Sequence, residues 1–526
     1  MKKISIIVIV LALITASCGK DFLTSLQNNP NAPTTSAATP QLVLPATLTG
    51  IADVVNGYSG YQAVGVWMGY WNYSPGYSFN STVQNYVMTA GSPQLWDNYY
   101  GILSNLEFMR QQTSSDPSGA NYNAIANILQ AICYKNLVDL YNNIPYSQAL
   151  KAQANFYPTY DNGSDIYDSL VLKLDDAISS IQGNLGNAAV NIPTTDDVLF
   201  GGNMNNWLQF ANTVKLSLLV QQSAVSSKQS FLSSEAGKTA SVGYIGSDAL
   251  VNPGYSSAQP SQMYGGFGLS PSGAINGQFT YLKANQAAID FYKLTNDSRL
   301  GYIYSANGIA PTDPAYFNVT LPINPANYAA DYTGSQDAVP GGGSGIGSGL
   351  VKDPAQSEVL MTAAESYFLQ SEATLYGWLN GGDVATAQTL YHNAITASYE
   401  FLNVGGSSSA ADAAAQTYYN QNVKFVAFPL GASTDSLVHT IIEQKWAALN
   451  GINNQVSYND WRKTFMSGAN TGYPIVPVSI SPSNTQLHMP FRYYYPTEEA
   501  NNNNENWTKA GGPTVDPFNN KIFWMP

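Results

Sequence analysis

The chain has 526 residues, of which only 10% are charged (21 Lys and Arg against 34 Asp and Glu), while 12% are aromatic, led by 36 Tyr. A formal charge of −13 leaves no basic stripe to neutralise phosphates, which excludes nucleic-acid binding; the aromatic content excludes general disorder, and the charge is too sparse for a coiled coil. What fits is a globule whose polar surface is built from Asn, Gln, Ser, Thr and Tyr.

Residues 1–17 have the form of a lipoprotein signal peptide. Lys2 and Lys3 precede an apolar stretch from Ile4 to Ile14 that is too short to cross a bilayer. Ala16 and Ser17 then lead into Cys18, with Thr15 where Leu is commonest, and Cys18 is the expected lipidation site. Residues 18–40, rich in Asn, Pro, Thr and Ser, read as a tether. Cys133, the other cysteine, sits in the helical run AICYKNLVDLY and reads as a buried small hydrophobe.

Helical spacing follows. Leu95, Tyr99, Leu103 and Leu106 share a face over 94–109. Ile125, Ile128, Leu129, Ile132, Leu137 and Leu140 do so over 120–141, before Pro145. In 164–182, Ser164 or Asp165 is the expected N-cap for a stripe of Ile166, Leu170, Leu174, Ala177 and Ile178. Further helices are expected over 203–224, 284–293, 358–378, 383–402, 437–450 and 456–467. Residues 250–282 and 303–350, heavy in Gly, Pro, Ser and Tyr, lack this period. The glycine run at 341–349 fails the spacing of a dinucleotide loop.

The expected fold class is mostly α: a tetratricopeptide-like helical repeat scaffold with a loop-rich ligand-binding insertion. The expected division is a single domain over 41–526, helical over 41–230 and 355–470, with the insertion at 231–354 and an irregular tail over 471–526.

Catalytic chemistry finds little footing. His392, His439 and His488 are scattered, with no zinc-binding spacing. Glu365 and Glu372 share one helix face rather than opposing each other across a sugar, and read as residues that contact backbone or Arg groups in helix packing. The run Asp161-Asn162-Gly163-Ser164-Asp165 fails the calcium-loop spacing and reads as a turn. No catalytic residue, metal or cofactor is expected.

The stretch YQAVGVWMGYWNYSPGYSF over 61–79 is different. Trp67, Tyr70, Trp71, Tyr73, Tyr77 and Phe79 crowd together, broken by Gly, Ser, Pro and Asn. Sugar rings stack their C–H faces on flat aromatics, while their hydroxyls need amide and hydroxyl partners. These six are therefore candidates for an aromatic platform, with Asn72 and Asn80 as hydrogen-bonding partners. About half of the six are expected in the core, those after Asn72 being the better ligand candidates. The scarcity of cations favours a neutral glycan.

Several segments, in order, resemble the SusD/RagB outer-membrane lipoproteins, specifically the SusD-like branch. They are NNPNAPTTS at 28–36, LVDLYNNIPYSQAL at 137–150, FYPTYDNGSDIYDSLVLKLDDAI at 156–178, DVLFGGNMNNWLQFANTVKLSLLVQQS at 197–223, LMTAAESYFLQSEATLYGW at 360–378, IIEQKWAALNG with DWRKT within 441–464, and FRYYYPTEEANNNNENW at 491–507. Ser217 replaces the family's usual Arg. The resemblance implies four tetratricopeptide-like units and a surface-exposed, lipid-anchored outer-membrane protein that is not an enzyme. It also implies a SusC-like TonB-dependent transporter as partner and oligosaccharide as cargo. By region, it adds Tyr264, Phe267 and Tyr281 to the platform. Peptide capture, as in the RagB branch, and a lipid-anchored glycosidase are the alternatives.

Overall fold

The computed structural model describes residues 38–56, 64–73, 81–91, 95–151, 154–270, 272–274, 276–278, 282–305, 345–466, 472–476, 478–479 and 483–526. The signal peptide, Cys18 and the tether up to residue 37 lie outside the described residues, as do Tyr61, Tyr77, Phe79, Asn80, Tyr281 and the start of the glycine run.

In chain order the elements are α1 (Pro40–Asn56), β1 (Trp71–Tyr73), α2 (Ser81–Asn85), α3 (Leu95–Thr113), α4 (Ala120–Tyr141), β2 (Ile144–Pro145), β3 (Tyr160–Asp161), α5 (Gly163–Asn184), α6 (Met204–Gln221) and α7 (Gln229–Lys238). There follow β4 (Ala249–Val251), α8 (Gln262–Phe267), β5 (Leu282–Ala284), α9 (Gln286–Leu294), α10 (Leu300–Ile303), β6 (Glu358–Met361), α11 (Ala363–Leu375), α12 (Val384–Phe401), α13 (Ser408–Tyr419), α14 (Thr434–Leu449), α15 (Asn454–Lys463), α16 (Thr497–Asn502) and α17 (Asn504–Lys509).

Helices with a strong apolar stripe form where the spacing puts them. Helices that lack the signal fall outside the expected set, α1 and α13 among them. Pro45 interrupts α1, yet Leu44, Leu48, Ile51 and Ala52 are fully buried along one face, and that burial outweighs the lost backbone hydrogen bond. Alanine-rich α13 has high helix propensity but a weak stripe, burying Ala411, Ala415 and Tyr418. The helix expected from 358 instead begins with a buried strand, β6, and Thr362 then caps α11 by accepting a hydrogen bond from the Glu365 amide at 3.1 Å.

The helices pack as successive antiparallel neighbours, the expected helical repeat scaffold. α3, α4, α5 and α6 follow one another, α11, α12 and α13 do the same, and α6 touches α11 to join the two halves. One continuous apolar core runs through both. Three antiparallel two-stranded ribbons, β1–β5, β2–β3 and β4–β6, tie the insertion and the loops to this scaffold.

Two of the quoted motifs acquire a physical reason. Asp197 is buried and accepts hydrogen bonds from the amides of Leu199, Phe200 and Gly202 and from the Trp207 indole at 2.8 Å, which locks the turn before α6. Gly202 in that turn has φ +85°, and a Cβ there would sit 2.1 Å from the Pro193 carbonyl oxygen. Asn203 then caps the helix. Asp161 receives the amides of Tyr146 and Ser147 and the Ser147 hydroxyl. α5 therefore starts at Gly163, ahead of the expected N-cap, at a glycine pressed against the Asn142 carbonyl.

The sparse charges go inside. Among the described residues, Lys135, Lys215, Lys283, Arg299, Lys445, Arg462, Lys463 and Arg492 are buried, eight cations against 21 in the whole chain. Asp139, fully buried on α4, accepts from Lys135 at 2.8 Å, Asn459 at 2.8 Å, the Trp524 indole at 3.0 Å and the Tyr167 hydroxyl. Arg462 donates to the Asp139 carbonyl at 2.5 Å and the Phe491 carbonyl at 2.8 Å, with its guanidinium 4.2 Å from the Tyr458 ring. Glu372 pairs with Lys463, rather than with Arg or backbone, and accepts the Tyr376 hydroxyl at 3.0 Å. Glu365 is buried with one carboxylate oxygen unpartnered. Cys133 is free and buried, as expected.

Asp139→Asn leaves buried cations short of their anion. The expected loss is about 3–5 kcal/mol of unfolding free energy, measured by urea denaturation.

Candidate functional site

The candidate platform begins on a helical turn over 64–67 and runs into β1. Antiparallel pairing sets Trp71 opposite Ala284, Asn72 opposite Lys283 and Tyr73 opposite Leu282. The two segments singled out separately in the sequence, one ending in the aromatic run and one in the insertion, are thus hydrogen-bonded side by side. The ribbon also brings a cation beside Asn72, but Lys283 is fully buried and offers no charge to solvent.

Beneath the ribbon lies an aromatic floor. Tyr70 stacks on Trp446 at 5.0 Å and donates its hydroxyl to the Trp446 carbonyl at 2.7 Å. The Trp446 indole donates back to the Met68 carbonyl at 2.9 Å. Trp71 meets Tyr304 edge-on at 5.1 Å, and the Tyr304 hydroxyl donates to the Tyr70 carbonyl at 2.7 Å. Asn450 holds the hydroxyls of both Tyr304 and Tyr292. Trp67 donates to the Val83 carbonyl at 3.2 Å and packs edge-on against Tyr86 and Tyr493. Gly451, at φ +74°, lets the chain pass under Trp71: a Cβ there would lie 3.3 Å from the indole.

These contacts revise the platform. Trp67 is 2% exposed, Tyr70 0% and Trp71 4%, so their ring faces are taken by protein and unavailable to a ligand. Asn72 and Phe267 are buried as well. Tyr264 is half-buried, its ring over Gly268, where a Cβ would come within 2.8 Å. Tyr73 closes β1, and residues 74–80 continue from it beyond the described part, taking Tyr77, Phe79 and Asn80 with them. Of the six aromatics, the three that precede Asn72 belong to the core. Two strongly exposed rings were not flagged: Phe156, 68% exposed, and Tyr157, 64% exposed. Their loop is pinned by Asn506 and Asn503, which donate to the carbonyls of Tyr157 and Pro158. Asn155 within it, two residues before Tyr157, was the signal available in the sequence, since its carbonyl oxygen accepts the Tyr157 amide.

The scaffold holds the insertion through two charged contacts. Arg299 and Asp297, both fully buried in their side chains, pair at 2.6 Å between α9 and α10, and Arg299 reaches Ser398 on α12 at 3.0 Å and Gln444 on α14 at 2.9 Å. Glu358 on β6 caps α8, accepting the Gln262 amide at 2.6 Å. Burial first, and then the charge of Asp53 beside it, push the Glu358 carboxyl up to about 7. Burial pushes Glu365 up to about 7 too.

The sign of the linkage follows. A carboxyl whose folded value is raised holds its proton more tightly folded than unfolded, so its contribution is fully present below about 4.5 and is lost as pH rises through about 7. Stability of the native chain should fall across that window, and Glu358→Gln should remove on the order of 3 kcal/mol of the fall, read from unfolding midpoints at pH 4.5 and 7.5. Trp71→Ala should behave as a core truncation, costing about 3–5 kcal/mol of stability in the same assay.

The family model for SusD-like proteins, described as starch-binding and associating with the outer membrane, matches residues 30–496. No curated protein matches the chain. Among solved structures, a SusD homologue from Bacteroides fragilis superposes with TM-score 0.72 at 18% identity, covering 93% of this chain and 100% of that one. A chitin-binding SusD homologue from Flavobacterium johnsoniae gives TM-score 0.69 at 19% identity, covering 91% and 98%. A chitin-binding protein gives 0.70 at 23%, covering 92% and 99%. At these identities the likeness concerns the fold. Among the described residues, no helix is long and apolar enough to cross a membrane.

Proposed function

The chain belongs to the SusD-like family of the SusD/RagB proteins, and from that premise we propose that it is a lipid-anchored outer-membrane protein that captures a neutral oligosaccharide and passes it to a SusC-like TonB-dependent transporter. The observation that carries the reading is the β1–β5 ribbon. It fixes the exit of the aromatic run at Tyr73 beside the insertion strand that follows Tyr264 and Phe267, on a rigid floor of buried Trp and Tyr. Aromatic rings stack against the C–H faces of sugars, and their few rotatable bonds keep the entropy cost of binding low. With the core aromatics set aside, the proposed contacts are Tyr73, Tyr77 and Phe79, with Asn80 as hydrogen-bonding partner and Tyr264 at the edge. The family's description and the chitin-binding relatives support carbohydrate as the ligand class, and the burial of the cations argues against acidic polymers.

Two measurements test this. Tyr73→Ala with Tyr77→Ala should weaken binding of neutral oligosaccharides by ~1–3 kcal/mol per lost stack in isothermal titration calorimetry, with the melting temperature unchanged. Unaltered affinity, or preference for an extended peptide over every glycan tried, would sink the reading. Cys18→Ala should move the protein from the membrane to the soluble fraction and abolish palmitate labelling.

A further inference from the structure

A second concave surface lies away from the ribbon, where α11 and α12 meet the turn before β4. It is an open cleft of about 610 Å³ lined by, among others, Asp248, Tyr367, Asn393, Thr396, Glu400 and Phe401, within the size range of small-molecule sites. Its walls are firm. α11 and α12 form a tightly packed antiparallel pair. Asp248 is fixed by accepting the Ala363 amide at 2.8 Å, at the start of α11. Gly246 makes room for the Tyr367 phenol, whose oxygen lies 3.1 Å from where a Cβ would stand.

Several polar groups facing this space are not used by the fold, although Asp248 accepts the Ala363 amide and Glu400 accepts the Ser408 hydroxyl at 2.5 Å on one oxygen. Among the described residues, the Tyr367 hydroxyl and the side chains of Ser247, Asn393 and Thr396 make no hydrogen bond to another protein group. Two other threonines of α12 behave differently: Thr386 donates to Asp383 at 2.5 Å and Thr389 to the Ala385 carbonyl at 3.0 Å. The charge balance is negative. Asp248 and Glu400 face the cleft, while the one cation, Lys352, is held by the protein, donating to the Phe401 carbonyl at 2.6 Å with its ammonium 4.3 Å from the Phe401 ring. Burial, assisted by the charge of Glu400, raises the Asp248 carboxyl. An anion would meet repulsion here. A ligand rich in hydroxyls would find carboxylates and carbonyl-type acceptors, an amide, three hydroxyls and the edge of an aromatic ring.

We propose that this cleft is a second carbohydrate-binding site, accepting an uncharged sugar of one or two residues and separate from the aromatic platform. It orients its ligand by hydrogen bonds to Asn393, Tyr367, Thr396 and the two carboxylates, with stacking as the minor contribution, the reverse of the platform.

The test uses the Tyr73→Ala/Tyr77→Ala protein as background, so that residual binding reports the cleft. Maltose, xylobiose and N,N′-diacetylchitobiose are titrated calorimetrically, with digalacturonate as the charged comparison. At least one neutral disaccharide should retain a single binding event, weakened at least tenfold by Asn393→Ala/Tyr367→Phe, which trims only groups the fold leaves unbonded. Ala397→Trp, which fills the cleft, should abolish it, and an unchanged melting temperature verifies both proteins. Absence of any residual event, indifference to both cleft variants, or tighter binding of digalacturonate overturns the proposal. Those outcomes leave the platform reading standing, because that reading is decided by the difference between the native and the Tyr73/Tyr77 proteins.

Discussion

The fold turns on a carboxylate placed where water cannot reach it. Asp139 gathers Lys135, Asn459, Tyr167 and Trp524, and Arg462 closes the assembly by binding the Asp139 and Phe491 carbonyls. Five segments therefore meet around one group: α4, α5, α15, the irregular run at 491 and the chain's last turn. A buried charge is tolerated only when its lone pairs are filled, and every partner that fills them is thereby fixed in place. The tail lacks long helices and owes its order to these contacts and to burial of Met489, Tyr493 and Trp524.

The same economy explains the surface. With so few charged residues, burying eight of the 21 cations leaves fewer still for an exterior rich in amides and hydroxyls. Such a surface suits ligands that carry hydroxyls and no charge. Ion pairs such as Arg299–Asp297 and Lys463–Glu372 use part of this small store of charge to hold loops and helices together in the core.

Position in the fold separates two uses of aromatic side chains. Tyr70, Trp446, Tyr292 and Tyr304 exchange hydrogen bonds with backbone carbonyls and with Asn450, Trp71 packs edge-on against Tyr304, and together they build a rigid base. The cleft between α11 and α12 follows another logic, in which the Tyr367 hydroxyl and the side chains of Ser247, Asn393 and Thr396 are left unengaged by the fold.

Local pattern was enough for the helices with apolar stripes and for the burial of Cys133. Each depends on residues within a few turns of one another. The aromatic run could be located in the same way, but its division could not: Trp67, Tyr70 and Trp71 are core because Tyr493, Trp446 and Tyr304 come to meet them from more than 200 positions away. α1 was hidden by Pro45 and rescued by long-range burial. Likewise, Asp248 and Glu400 lie in none of the quoted motifs, and only the folded arrangement of the turn before β4, α11 and α12 sets them around a common space with Tyr367. Periodicity and capping are properties of neighbouring residues, so the chain alone decides them. Which ring faces water and which carboxylate is left in a cleft are properties of surfaces that exist only once distant segments have packed.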